Sequence, residues 1–182
     1  MTGTQPLAFD ATPVSVLLHP DAVPVADIFR CIGGFEDQYD LALLNGPEED
    51  LLGLTRPEVA KAIISDALLL AFAVDRQRRG PLCHAPLKSR RASTDEYCLM
   101  ALIGASRVQD SELAFEASTA LGIASLDLVA SLASDLIRQI DTSGLAFSTP
   151  SLDEFRAVVG DRLLFEDDRD DALSRPEMKF RF

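Results

Sequence analysis

The sequence predicts an all-α protein, a single-domain bundle of about six to eight helices with short connections. Three observations carry this. Helix-start patterns recur: Thr55 stands three residues before Glu58 with Pro57 between them, Ser93 three before Glu96, and Ser151 three before Glu154. The residues that follow place apolar side chains at helical spacing. No alternating run bounded by hairpin turns appears, and no strand–helix alternation supports a parallel sheet.

Residues 1–11 read as a flexible arm. Thr12-Pro13 either opens a short helix, or "VSVLL" (14–18) forms a lone strand, because a short apolar run suits both. Pro20 and Pro24 then break the chain. "VADIFRCIGG" predicts a short helix stopped by Gly33-Gly34, and "FEDQYDLALLNG" another that ends at Asn45-Gly46. The helix over 56–79 meets no breaker before Gly80. Val59, Ile63, Ala67, Leu70 and Val74 form one stripe, which Ile64, Leu68, Leu69 and Phe72 widen around the cylinder. A helix apolar on most sides is buried on most sides, so this one is expected at the centre, packed against 94–108 and 126–141.

After a non-helical connection, Ser93 opens "TDEYCLMALIGASRV". Asp110 caps "SELAFEASTALG", which Gly122 ends. Ser125 caps "LDLVASLASDLIRQI", which Gly144 ends, and Ser151 precedes a last short helix. The helical domain is thus expected over 12–160. Residues 161–182 read as an acidic tail, with "EDDRDD" at 166–171 and a closing Phe180 and Phe182 that suit docking on this domain or a partner.

Composition narrows the function classes. Of 182 residues 47% are hydrophobic, too many for general disorder. The formal net charge of −12 repels nucleic acid and anionic membranes overall. "ALLLAFAV" at 67–74, the longest apolar run, falls short of the roughly 20 residues of a membrane span. No Lys or Arg precedes Arg30, so a basic signal-peptide start is missing. Three cysteines at irregular spacing are not a disulfide framework and fit a reduced cytoplasm.

One segment departs from the acidic background. "RQRRGPLCHAPLKSRRAS" (76–93) holds six of the seventeen Lys and Arg residues and no carboxylate. Arg76, Arg78 and Arg79 suit the C-terminus of the preceding helix. Lys88, Arg90 and Arg91 lie just before a helix N-terminus, the wrong end for cations, and call for a carboxylate or phosphate partner. Arg76, Arg79, Lys88, Arg90 and Arg91 are therefore the candidate anion- or partner-binding residues.

Sharper chemistry is not written in the chain. Cys83 and His84 are adjacent, whereas zinc ligands favour two or three intervening residues so that both side chains turn to one ion. A Cys–His nucleophile pair comes from separate parts of a chain, because the two side chains must face each other. No nucleophile elbow or glycine-rich phosphate loop is present. Residues 114–137 have the look of two helices about a turn at Gly122-Ile123. The second offers Asp127 and Asp135 and no basic residue before Arg138, so DNA phosphates would repel it. Arg90-Arg91-Ala92-Ser93 resembles a basophilic kinase site, yet Ser93 already has a role as a cap. No metal, cofactor or catalytic residue is expected. The sequence points to a non-enzymatic interaction or regulatory protein, with a protein partner or a second copy joined through basic loop and acidic tail. The alternative is a protein that binds an anionic small molecule between helices, as a carrier or an enzyme.

Overall fold

The computed structural model of the protein describes residues 16–33 and 40–160. In chain order they form β1 (Val16–Leu17), α1 (Val23–Gly33), α2 (Asn45–Leu52), α3 (Pro57–Asp75), β2 (Arg91–Ala92), α4 (Thr94–Val108), α5 (Ser111–Ala120), α6 (Leu126–Ser143) and α7 over 152–160. The fold is all-α. Among the described residues the strands are two residues each, paired antiparallel with Val16 opposite Ala92 and Leu17 opposite Arg91. "VSVLL" therefore contributes a paired strand, not a lone one. Thr12-Pro13, the 1–11 arm and the 161–182 tail lie outside the described residues.

Local signals set most helix ends. Ser93 and Glu96 form a reciprocal capping box at α4, Asp110 accepts from the Leu113 amide at α5, and Gly144 closes α6 at φ +77°. Ser151 and Glu154 bond reciprocally at the start of α7. Three starts differ from the sequence reading. Arg56, not Thr55, precedes α3 and makes no side-chain cap; Pro57 at the first helical position fixes the turn instead. Ser125 precedes α6, but its side chain makes no cap bond and its amide donates to Gln77 Oε1 at 2.7 Å. Asn45-Gly46 begins a helix where an end was expected. Asp40 caps a 3₁₀ turn at Leu41–Leu44 that runs straight into α2, and Pro47 is tolerated because first-turn N–H groups have no intrahelical acceptor.

The core also has a different centre. α3 packs on α6 and α1, as its broad apolar surface requires, but α4 packs on α5 and α6 and is not a principal neighbour of α3. The enclosed helix is α4, where ten consecutive residues, Glu96 to Ala105, are buried. Its small residues let neighbours approach from every side. Tyr97 stacks on Phe155 of α7 with ring centroids 5.8 Å apart, and the 145–150 segment crosses Gly104.

Gly104 supplies a test. A Cβ there would lie 2.5 Å from Thr149 Oγ1 and 2.9 Å from its Cγ2. In an open helix, Gly→Ala gains about 1 kcal/mol. Here overpacking outweighs that gain, and Gly104→Ala is expected to lose about 1–2 kcal/mol in urea denaturation. A more stable variant would mean that the crossing segment yields freely.

Candidate functional site

The basic connection between α3 and α4 is built around three buried charges. Arg30 and Asp27 sit one turn apart on α1, and Glu96 lies in the first turn of α4. Their relative exposures are 6%, 2% and 2%. Burial at that level costs several kcal/mol per ion unless each charge is matched and hydrogen-bonded. Arg30 meets Glu96 as a fork, Nε to Oε1 at 2.8 Å and Nη2 to Oε2 at 3.0 Å. Nη1 donates to Asp27 Oδ1 and to the Ser89 carbonyl, both at 2.9 Å, and Nη2 also reaches the Arg91 carbonyl at 3.3 Å. Every guanidinium N–H has an acceptor.

The carboxylates in turn hold the loop backbone. Glu96 accepts from the amides of Ala85 at 3.0 Å and Ser93 at 2.9 Å. Asp27 accepts from the Lys88 amide at 3.1 Å through both oxygens, and Lys88 itself adopts the left-handed conformation at φ +60°. A segment without regular structure over 81–90 thus has its Ala85 and Lys88 amides satisfied by fixed charges.

His84 packs inside this arrangement. A Cβ on Gly33 would lie 2.3 Å from His84 Nε2, so the glycine makes room for the ring. His84 Nδ1 stands 3.5 Å from Glu96 Oε1 and, although buried, makes no hydrogen bond. The Glu96 oxygens already take two donors each.

Burial alone would push the Glu96 carboxyl up. The adjacent His84 ring, the Arg30 fork and the amides of Ser93 and Ala85 outweigh it and hold the carboxyl at about 2, against an ordinary 4.5. The stability this provides is complete above the ordinary value and disappears as pH falls through the folded one. About 3 kcal/mol is therefore expected to be lost from about pH 4.5 to pH 2. Urea midpoints should converge for the wild type and Glu96→Gln across that window; a constant gap between them would show that Glu96 is not the titrating group.

The five anticipated binding residues divide. Lys88 Nζ lies 3.5 Å from Asp50, and Arg90 Nε donates to the Leu18 carbonyl at 3.2 Å. Arg91 contributes its carbonyl to Arg30, while its side chain is exposed. Arg76 and Arg79 are exposed just beyond the end of α3. The side chains of Arg76, Arg79 and Arg91 make no hydrogen bond or ion pair with another described residue. Arg78 differs: it is tied to Asp95 at 3.1 Å and to the Leu121 carbonyl. The misplaced cations before α4 thus surround a buried cluster with two carboxylates and one guanidinium. Ser93 donates to the Cys83 carbonyl while accepting from the Glu96 amide, so a phosphate on its oxygen would break the cap.

Reading the sequence missed Asp27, Arg30 and Glu96 as a unit. The available signal was the charged pair inside the otherwise apolar "VADIFRCI". Among the described residues no group of three or more His, Cys, Asp or Glu could hold a metal ion, and no helix is long and apolar enough to cross a membrane. No protein-family model, curated protein or solved structure matches the chain.

Proposed function

We propose that the protein is a non-enzymatic interaction module that presents its 76–93 segment to an acidic partner. The observation that carries this is the division of labour in the segment. Buried charges fix its backbone, while Arg76, Arg79 and Arg91 point outward with no partner among the described residues. A fixed backbone lowers the ordering cost of binding, and a local positive surface on a chain of net charge −12 steers an anionic partner into register. The acidic run 166–171 of a second copy is the first candidate. Cys31, Cys83 and Cys98 form no disulfide with one another, which suits a reducing compartment such as the cytoplasm.

Sedimentation velocity tests the reading. Self-association is expected in low salt, weaker at about 0.5 M, where screening acts within roughly 3–5 Å. Deleting 166–182 or introducing Arg76→Glu, Arg79→Glu and Arg91→Glu together should abolish it. A monomer at every concentration and salt would overturn self-association. Failure of a labelled Asp/Glu peptide to bind would overturn the acidic partner altogether. The alternative, an anionic small molecule in a pocket, has less support: no Lys or Arg lines the cavity between β1 and α7, and in the open pocket between α4 and α6 Arg107 and Arg138 are already paired with Asp141 and Asp135.

A further inference from the structure

A cavity of about 410 Å³ opens between β1, the turn after it, α4, the 147–150 segment and α7. Leu18, Ala22, Met100, Ala101, Phe147 and Val158 give it apolar walls. That volume and lining are those of small-molecule sites, in which a few polar groups fix orientation.

Two polar groups select the chemistry. Tyr97 lines the cavity at 8% exposure, its ring fixed against Phe155, and its hydroxyl makes no hydrogen bond to another described residue. The hydroxyl opens onto the cavity and is not sealed in the core, so a ligand there can reach it. Glu154, an exposed residue in the first turn of α7, stands at the mouth of the same cavity. Its Oε2 accepts from the Ser151 amide and hydroxyl at 2.8 and 3.0 Å, and Oε1 takes no bond from a described residue. The Ser151 amide and hydroxyl hold the Glu154 carboxyl below its ordinary value, so it is charged at neutral pH. His19 at the rim accepts from the Asp21 amide through Nδ1.

We infer that this cavity is a binding site for a small organic cation, an amine with an aromatic or branched aliphatic body. The body fills the apolar walls, the ammonium faces Glu154, and a ligand polar atom meets the Tyr97 hydroxyl. The site is separate from the arginine surface and selects the opposite charge, so it stands or falls independently of the interaction reading.

The probes are phenethylamine and its anionic and neutral counterparts, phenylacetate and phenethyl alcohol. Methyl labelling of methionine gives a local reporter, since Met100, the one methionine among the described residues, lines the cavity. Phenethylamine should shift the Met100 signal saturably and several-fold more tightly than phenylacetate. Tyr97→Phe should weaken it about 2- to 10-fold, the range of one hydrogen bond. Glu154→Gln keeps the α7 cap, because glutamine serves at that position, and should bring the amine and carboxylate to similar affinity. Urea denaturation establishes that both variants fold. No saturable shift with phenethylamine, or equal binding of all three probes to the wild type, would overturn the proposal. So would an amine affinity unchanged in both folded variants.

Discussion

Glu96→Ala should destabilise the protein by about 3–5 kcal/mol, a large part of a typical domain's stability. The change removes both prongs of the Arg30 fork and leaves the guanidinium with one carboxylate, at 6% exposure. It also takes the acceptor from the amides of Ala85 and Ser93 and one half of the α4 capping box. Glu96→Asp is expected to recover little, since the shorter side chain cannot span the fork. Urea unfolding at neutral pH measures both. A loss for Glu96→Ala below about 1 kcal/mol, the scale of an exposed ion pair, would mean that water reaches the cluster freely.

The second large effect comes from exchanging the whole cluster for apolar side chains, as Asp27→Leu, Arg30→Met and Glu96→Leu together. Buried ion triads can often be replaced this way at no cost in stability, because the desolvation penalty disappears with the charges. That outcome is not expected here. The amides of Ala85, Lys88 and Ser93 and the carbonyls of Ser89 and Arg91 all use the cluster as their partner. An apolar replacement leaves the three amides and the Ser89 carbonyl unmatched at about 1–3 kcal/mol each if the loop stays in place, while the Arg91 carbonyl keeps the Ser89 hydroxyl, so the loop detaches instead. The triple variant should remain at least about 3 kcal/mol less stable than the wild type. Trypsin should cut it rapidly after Lys88, Arg90 and Arg91, sites held in the wild type. Wild-type stability with an uncut loop would refute this role for the charges.

The helices were legible in the sequence where their signals are local. Ser93 and Glu96, Asp110, Gly144, and Ser151 and Glu154 act within one turn of their own backbone, and each does so in the fold. Which helix is enclosed was not legible, because enclosure depends on neighbours. α3 has the more apolar sequence, yet α4, with Ala101, Gly104 and Ala105, admits closer packing. The cluster was hidden for a related reason. Arg30 and Glu96 are 66 residues apart, and neither spacing nor composition pairs them. Glu96 was visible as a cap, and its second role adds no further mark to the sequence. The basic segment stood out, but its side chains drew the eye while its backbone makes the buried contacts.

Those backbone contacts change how the 81–93 segment should breathe. Exposed loop amides usually exchange with solvent deuterium within seconds, each through its own fluctuation. The amide hydrogens of Ala85, Lys88 and Ser93 point at the carboxylates of two different helices. Each must leave a carboxylate that Arg30 also holds before it can exchange. They are expected to open together with α1 and the first turn of α4, so these three amides should exchange more slowly than their neighbours in the loop.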